Sequence, residues 1–154
     1  MNYAAFQFRH YGQGVQIFDP CVILKPEMVS LYDHCRLDSI TKIEGGQGVT
    51  IGERVHIASF CHINGGGGEI VIGAHSALAS GVKVIGGYVD FEYLHISAAE
   101  PPDLCHVIKK RTVIGEYVAI FTNAIILPGV VVGDGVIVAA GAVVRSEEHT
   151  SELQ

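Results

Sequence analysis

The chain has 154 residues, enough for one domain with a substantial core. Apolar residues make up 49 %, charged residues only 17 %, and the formal net charge is −6. With no basic tract nucleic acid is not expected as a partner, and 19 glycines beside many Val and Ile suit an all-β repeat protein rather than a helical one.

Met1-Asn2-Tyr3 brings no basic n-region and no long apolar run follows, so no secretory signal is expected. Residues 1–11 are expected to cap one end of the fold. Ile17 and Ile23 then open a six-residue pattern of aliphatic anchors. It continues as Leu31, Leu37, Ile43, then Ile51, Ile57, Ile63, then Ile72, Leu78, Val84. The clearest stretch is Ile114, Ile120, Ile126, Val132, Val138 and Val144, each six residues from the last. Four residues after the first five of these come Val118, Ala124, Val130, Val136 and Ala142, all small or β-branched. The governing period is six, neither that of a helix nor that of an alternating strand.

A hexapeptide of this kind makes a short strand and a turn, with the anchor and the small residue both pointing inward. Three strands close a triangular coil, and stacked coils pair in parallel about 4.8 Å apart. The expected fold is all-β: a parallel β-helix of about six coils. The steps between sets are 8 (23 to 31), 8 (43 to 51), 9 (63 to 72) and 30 (84 to 114). With three strands per coil, all these insertions fall at one corner, and the last is a long loop near 85–113. Insertions gathered on one edge point to a binding edge.

Cys21, Cys35 and Cys61 each lie four residues after an anchor, so they are read as small interior residues. With Cys105 they form no C-x-x-C pair, and a reducing cytoplasm is expected. The apolar run from Ala124 to Val144 carries only Asp134 as a charge, but Pro128 and four glycines break it into turns. No transmembrane segment is therefore expected. The last ten residues, RSEEHTSELQ, shift abruptly to polar composition. They resemble the in-frame translation of a common sequencing adapter. The expected domain is thus 1–144, truncated at its C-terminal end, with 145–154 not native.

The segments I57-A-S-F-C-H-I63, Gly65–Gly68 and V113-I-G-E-Y-V-A-I-F-T-N-A-I-I-L-P-G-V-V-V-G-D-G-V-I-V-A-A-G-A-V-V144 resemble the hexapeptide-repeat acetyltransferases. His56-I-A-S-F together with the glycine run and D90-F-E-Y-L resembles the subset that acetylates sugars in surface-polysaccharide or nucleotide-sugar pathways. The resemblance spans about residues 15 to 144. It implies a left-handed coil, although the general crossover rule alone would favour the right-handed one. It also implies a homotrimer, acetyl-CoA as cosubstrate without a metal, and a sugar or nucleotide-sugar acceptor. The site would lie between subunits, with direct transfer assisted by a His base and backbone N–H donors on the oxyanion. The His-Pro pair found near the loop base in many such enzymes is absent, so motif does not fix the base.

Among the histidines, His56 directly precedes an anchor and so faces outward from its strand, as a base in a cleft must. His62 holds the equivalent place one strand on, and His95 and His106 lie in the long loop. His56, His62 and His95 are the candidate bases. Thr122 and Ala140, eighteen residues apart, match the spacing of the cofactor groove that the resemblance implies. Asn64, Asp90 and Tyr93 are candidates for holding the sugar, and the Gly65–Gly68 run permits close backbone approach or a flexible connector. A zinc carbonic anhydrase of the same fold, using His56, His62 and His75, is one alternative. A non-catalytic trimeric fragment is the other.

Overall fold

A computed structural model describes residues 1–146. Most of the polar tail expected to be foreign therefore lies outside the described residues. Three six-stranded parallel sheets wind into six triangular coils, which is the all-β helix expected, and its strand order is consistent with the left-handed form. The first face stacks His10–Tyr11, Val29–Leu31, Val49–Ile51, Ile70–Ile72, Thr112–Ile114 and Val131–Val132. The second face begins at Gln16–Ile17 and ends at Ile137–Val138; the third begins at Val22–Leu24 and ends at Val143–Val144.

Register follows the anchors. Leu31 pairs with Ile51, Ile51 with Ile72, and Ile72 with Ile114, so each inward side chain lies over its counterpart one coil below. In the middle coils the anchors Leu37, Ile57, Leu78, Ile63 and Val84 are fully buried. Each such burial contributes roughly 1.5–3 kcal/mol. The interior small positions are filled by Cys35, Val55, Cys61, Val82, Val118 and Ala124, all at most 1 % exposed. Two of the interior small positions are polar and satisfied there. Ser76 Oγ donates to the Gly115 carbonyl and accepts from the Val118 N–H, both at 2.9 Å, and Thr41 Oγ1 donates to the Ala58 carbonyl at 3.1 Å.

The inward reading weakens at the last coil. Val136 is 40 % exposed because no coil covers it among the described residues. The opposite end is closed as expected. Tyr3 is buried, accepts from the Cys21 N–H at 2.8 Å, donates to its carbonyl at 3.2 Å, and stacks edge-on against Phe6.

The corners turn through left-handed residues that the spacing alone did not announce. At the first corner His34, Arg54, His75 and Tyr117 have φ between 53 and 60°, and at the second Ile40, Phe60 and Asn123 between 60 and 64°. A residue with φ > 0 directs the chain sharply enough to start the next face, and a branched one such as Ile40 carries strain there. The insertions all lie at the third corner. The longest begins and ends as an antiparallel pair, Gly87–Val89 with Val107–Lys109. The apolar run near the C-terminus forms short strands of the last coils, and no helix among the described residues is long and apolar enough to cross a membrane.

Candidate functional site

On the second face the residue before each anchor points outward, and the column reads Arg36, His56, Ala77, Ala119, Ile137 in register. The fall from imidazole to two methyl groups leaves a hollow above His56. It has a volume of about 330 Å³ and is lined by His56, Ala77, Ala79, Ala119, Phe121 and Thr122, among others. That volume suits the reacting end of a small ligand. The hollow thus joins one candidate base, His56, with one candidate cofactor residue, Thr122. Ala140 lies one coil further on, two residues past Val138 as Thr122 is two past Ile120, and the Gly141 N–H donates to the Thr122 carbonyl at 2.9 Å.

His56 Nε2 lies 2.9 Å from Asp38 Oδ2, and Arg36 Nε donates to Asp38 Oδ1 at 2.7 Å. Partial burial pushes the Asp38 carboxyl up. The hydrogen bonds from His56 and Arg36 outweigh it and hold the group below the usual carboxylate range. An ionised carboxylate can only accept, so Nε2 carries the proton and donates, and a neutral ring keeps its lone pair on Nδ1. Arg36 itself stacks over the Phe18 ring at 5.0 Å, which fixes the clamp from below.

The third face repeats this arrangement six residues later. Lys42 Nζ is 2.6 Å from Glu44 Oε1, and His62 Nε2 is 2.8 Å from the same oxygen. Burial raises the Glu44 carboxyl, and the bonds from Lys42 and His62 more than reverse it. Above His62, however, stands Lys83 rather than a methyl group. Asn64, on the same strand, accepts the Gly66 N–H at 2.9 Å and so supports the turn into the glycine run.

In the glycine run Gly66 is exposed and lines a hollow against the long loop, whereas Gly67 and Gly68 are tightly packed. A Cβ on Gly67 would stand 2.4 Å from Gly87 Cα, and one on Gly68 would stand 2.4 Å from the Gly86 carbonyl oxygen. These two residues pack backbone on backbone against the root of the long loop. Within that loop Asp90 Oδ1 accepts the Glu92 N–H at 3.0 Å, and the Asp90 N–H donates to the His106 carbonyl at 2.9 Å. Tyr93 stacks on His106 with ring centroids 3.8 Å apart, and His95 Nδ1 is 3.4 Å from Glu100. Asp90 therefore turns the chain while also lining a hollow of about 380 Å³ with Phe91 and Tyr88.

The sequence candidates thus fall in three places: the second-face groove, the third face, and the loop. His75, at the first corner, stacks on Tyr117 at 4.8 Å and shares no face with His56 or His62. No group of three His, Cys, Asp or Glu among the described residues is placed to hold a metal ion. Asp38 and Arg36 were not singled out from sequence. A signal existed: R36-L-D38 recurs as K42-I-E44, and H56-I recurs as H62-I, with each His eighteen residues beyond its carboxylate.

Residues 111–146 match the model of the bacterial transferase hexapeptide (six repeats). Over 143 residues the chain is 24 % identical to dTDP-4-amino-4,6-dideoxy-D-glucose acyltransferase of Escherichia coli, covering 91 % of this chain and 73 % of that one. It superposes with a TM-score of 0.83 and 27 % identity on AntD, an N-acyltransferase from Bacillus cereus in complex with dTDP and 3-hydroxybutyryl-CoA, covering 91 % of this chain and 74 % of that chain. A variant of AntD bound to dTDP-4-amino-4,6-dideoxyglucose and coenzyme A gives a TM-score of 0.84 at 27 % identity, covering 93 % and 76 %. The resemblance to hexapeptide-repeat acyltransferases is borne out, and the relatives are nucleotide-sugar acyltransferases.

Proposed function

We propose that this chain is an N-acyltransferase that moves an acyl group from a coenzyme A thioester to the amine of a dTDP-linked amino sugar. The observation that carries the proposal is the groove in which a carboxylate-held imidazole, His56, faces Thr122 across small apolar side chains. The relatives bring the chemistry: one is named as an acyltransferase of dTDP-4-amino-4,6-dideoxy-D-glucose, and AntD is seen with that amino sugar and coenzyme A and with dTDP and 3-hydroxybutyryl-CoA.

The sugar amine attacks the thioester carbonyl, and the proton it sheds passes to His56 Nδ1. The imidazolium so formed is stabilised by Asp38, which is itself held by Arg36. Collapse of the tetrahedral adduct expels the thiolate, which takes the proton back from His56. Thr122 and, one coil on, Ala140 leave room along the corner for the cosubstrate's arm. Asn64, Asp90 and Tyr93 reach the acceptor from the loop side, with His62 or His95 as the base if His56 is not.

Acetyl is the acyl group proposed first, and the methyl-sized side chains lining the groove leave room for a longer one. A homotrimer with its sites in the clefts between copies would let the long loop of one subunit close the groove of another. The four unpaired cysteines suit the cytoplasm, and a polysaccharide pathway would use such a product.

The test is thiol release from acetyl-CoA and from longer acyl-CoA in the presence of dTDP-4-amino-4,6-dideoxyglucose, with the acylated sugar identified by mass. Release that depends on the amino sugar is expected. Release from no acyl-CoA, or release with the His56→Ala rate equal to that of the parent chain, overturns the reaction or the base respectively.

A further inference from the structure

We infer that Lys83 is an anion-binding residue whose ammonium group takes a phosphoryl oxygen of a ligand lying in the His56 groove. The acyl-transfer reading supplies the candidate ligands; the anion site itself rests on the geometry of the third face.

That face presents Lys42, His62 and Lys83 in register on three successive coils, with neighbouring strands about 4.8 Å apart. The lower two share one counter-charge, since Lys42 Nζ and His62 Nε2 both meet Glu44 Oε1. Lys83 meets no carboxylate among the described residues. Its Nζ donates to the Gly81 carbonyl at 3.0 Å instead. Gly81 sits at the second corner, directly after Ser80, and Ser80 lines the groove on the other side of that corner. The contact therefore draws the ammonium back from the third face toward the groove's rim.

An ammonium has three donors, and one carbonyl uses one of them. The residue above Lys83 in register is Ile125, which offers no charge. The residue below, His62, already meets Glu44 and leaves the remaining donors of Lys83 unclaimed. A compact anion with several oxygens answers those donors, and lysine serves phosphoryl groups as a point charge. Two groove ligands carry that chemistry: the diphosphate of a nucleotide and the phosphates of coenzyme A.

The test follows the side-chain ammonium signals of the full chain by NMR while pyrophosphate, dTDP and coenzyme A are added in separate titrations. Lys83→Gln identifies the Lys83 signal. A saturable shift of that signal with pyrophosphate is expected. Lys83→Gln should weaken either dTDP or coenzyme A by about tenfold, and Lys83→Arg should retain most of the affinity; the ligand that suffers names the source of the phosphate. A signal that none of the three moves overturns the inference, as does unchanged affinity of Lys83→Gln for both natural ligands. A Lys83 signal that responds in a chain showing no acyl transfer would instead remove the reaction and leave the anion site standing.

Discussion

His56 and Asp38 are eighteen residues apart in the chain and 2.9 Å apart in space, because one turn of the coil lies between them. The carboxylate below fixes the ring of the imidazole above and leaves Nδ1 turned away from it. Asp38→Asn removes the charge that, with His56 as the proposed base, would stabilise its imidazolium, and its amide can present either oxygen or nitrogen to Nε2. A fall in kcat of about tenfold to a thousandfold is expected, with KM for the cosubstrate little changed. Steady-state kinetics check it. The His56→Ala, Asp38→Asn double variant should be little slower than His56→Ala alone, since Asp38 acts through the ring.

The same pair links folding to pH. Both Asp38 and Glu44 are held below the usual carboxylate range in the folded chain. The unfolded chain then binds their protons more readily, so unfolding takes up protons as the solution becomes acid. Their stabilising contribution is complete above the ordinary carboxylate pKa, near 4, and is lost as pH falls through the lower folded values. Melting temperature followed from pH 7 downward should drop along this limb. Asp38→Asn with Glu44→Gln should flatten it, and a limb of unchanged steepness would remove these two groups as its cause.

Much of this architecture could be read in advance, and the reason is physical. The coil uses each anchor in the same way, so Ile114, Ile120 and Ile126 leave the same trace six residues apart, and Ile57, Leu78 and Ile120 stack in register across the insertions between their coils. The corner that collects insertions is legible for the same reason. The clamp on His56 was less visible because its members come from two coils and only the register brings them together. The loop was least visible: Asp90 reads as a ligand for a sugar, but one of its oxygens already accepts a local N–H. The glycine run could be read as close backbone approach or as a flexible connector, and Gly67 and Gly68 take the first form, packed against Gly86 and Gly87.

The core makes a contrast between two aliphatic positions. Ile57 is fully buried in the middle of the column, whereas Val136 in the last coil is 40 % exposed. Ile57→Ala should destabilise the fold by about 2–5 kcal/mol. Val136→Ala should change it by less than about 1 kcal/mol. Urea unfolding of the two variants side by side checks the difference, and similar losses for both would contradict the coil order.

Thiol chemistry should report the same interior. Burial pushes the Cys35 thiol up to about 12 and the Cys61 thiol up to about 11, and raises Cys21 as well. At pH 8 Cys35 and Cys61 hold almost no thiolate, the reactive form, and burial shifts Cys21 in the same direction. Cys105, in the long loop, is only half-buried. Iodoacetamide on the native chain should therefore label Cys105 and spare the other three, with all four labelled in denaturant. Mass spectrometry of the peptides reads the pattern, and early labelling of Cys35 would mean that the column opens.

Gly67 tests whether the root of the long loop positions the residues it carries. Its Cα packs against Gly87, and an added Cβ would stand 2.4 Å from Gly87 Cα with no side chain there to move aside. Gly67→Ala must lift the loop's first strand off the third corner, at a cost of about 1–3 kcal/mol. The anchors beneath that corner, Ile63 and Val84, lie inside the coil and keep their neighbours. The variant should thus still unfold cooperatively, while the loop residues Asp90 and Tyr93 shift relative to the groove. If they hold the acceptor, KM for the amino sugar should rise about tenfold and that for the cosubstrate should not. Equal rises in both constants would mean that the glycine packing supports the groove as a whole, and an unaltered KM for the amino sugar would take Asp90 and Tyr93 out of acceptor binding.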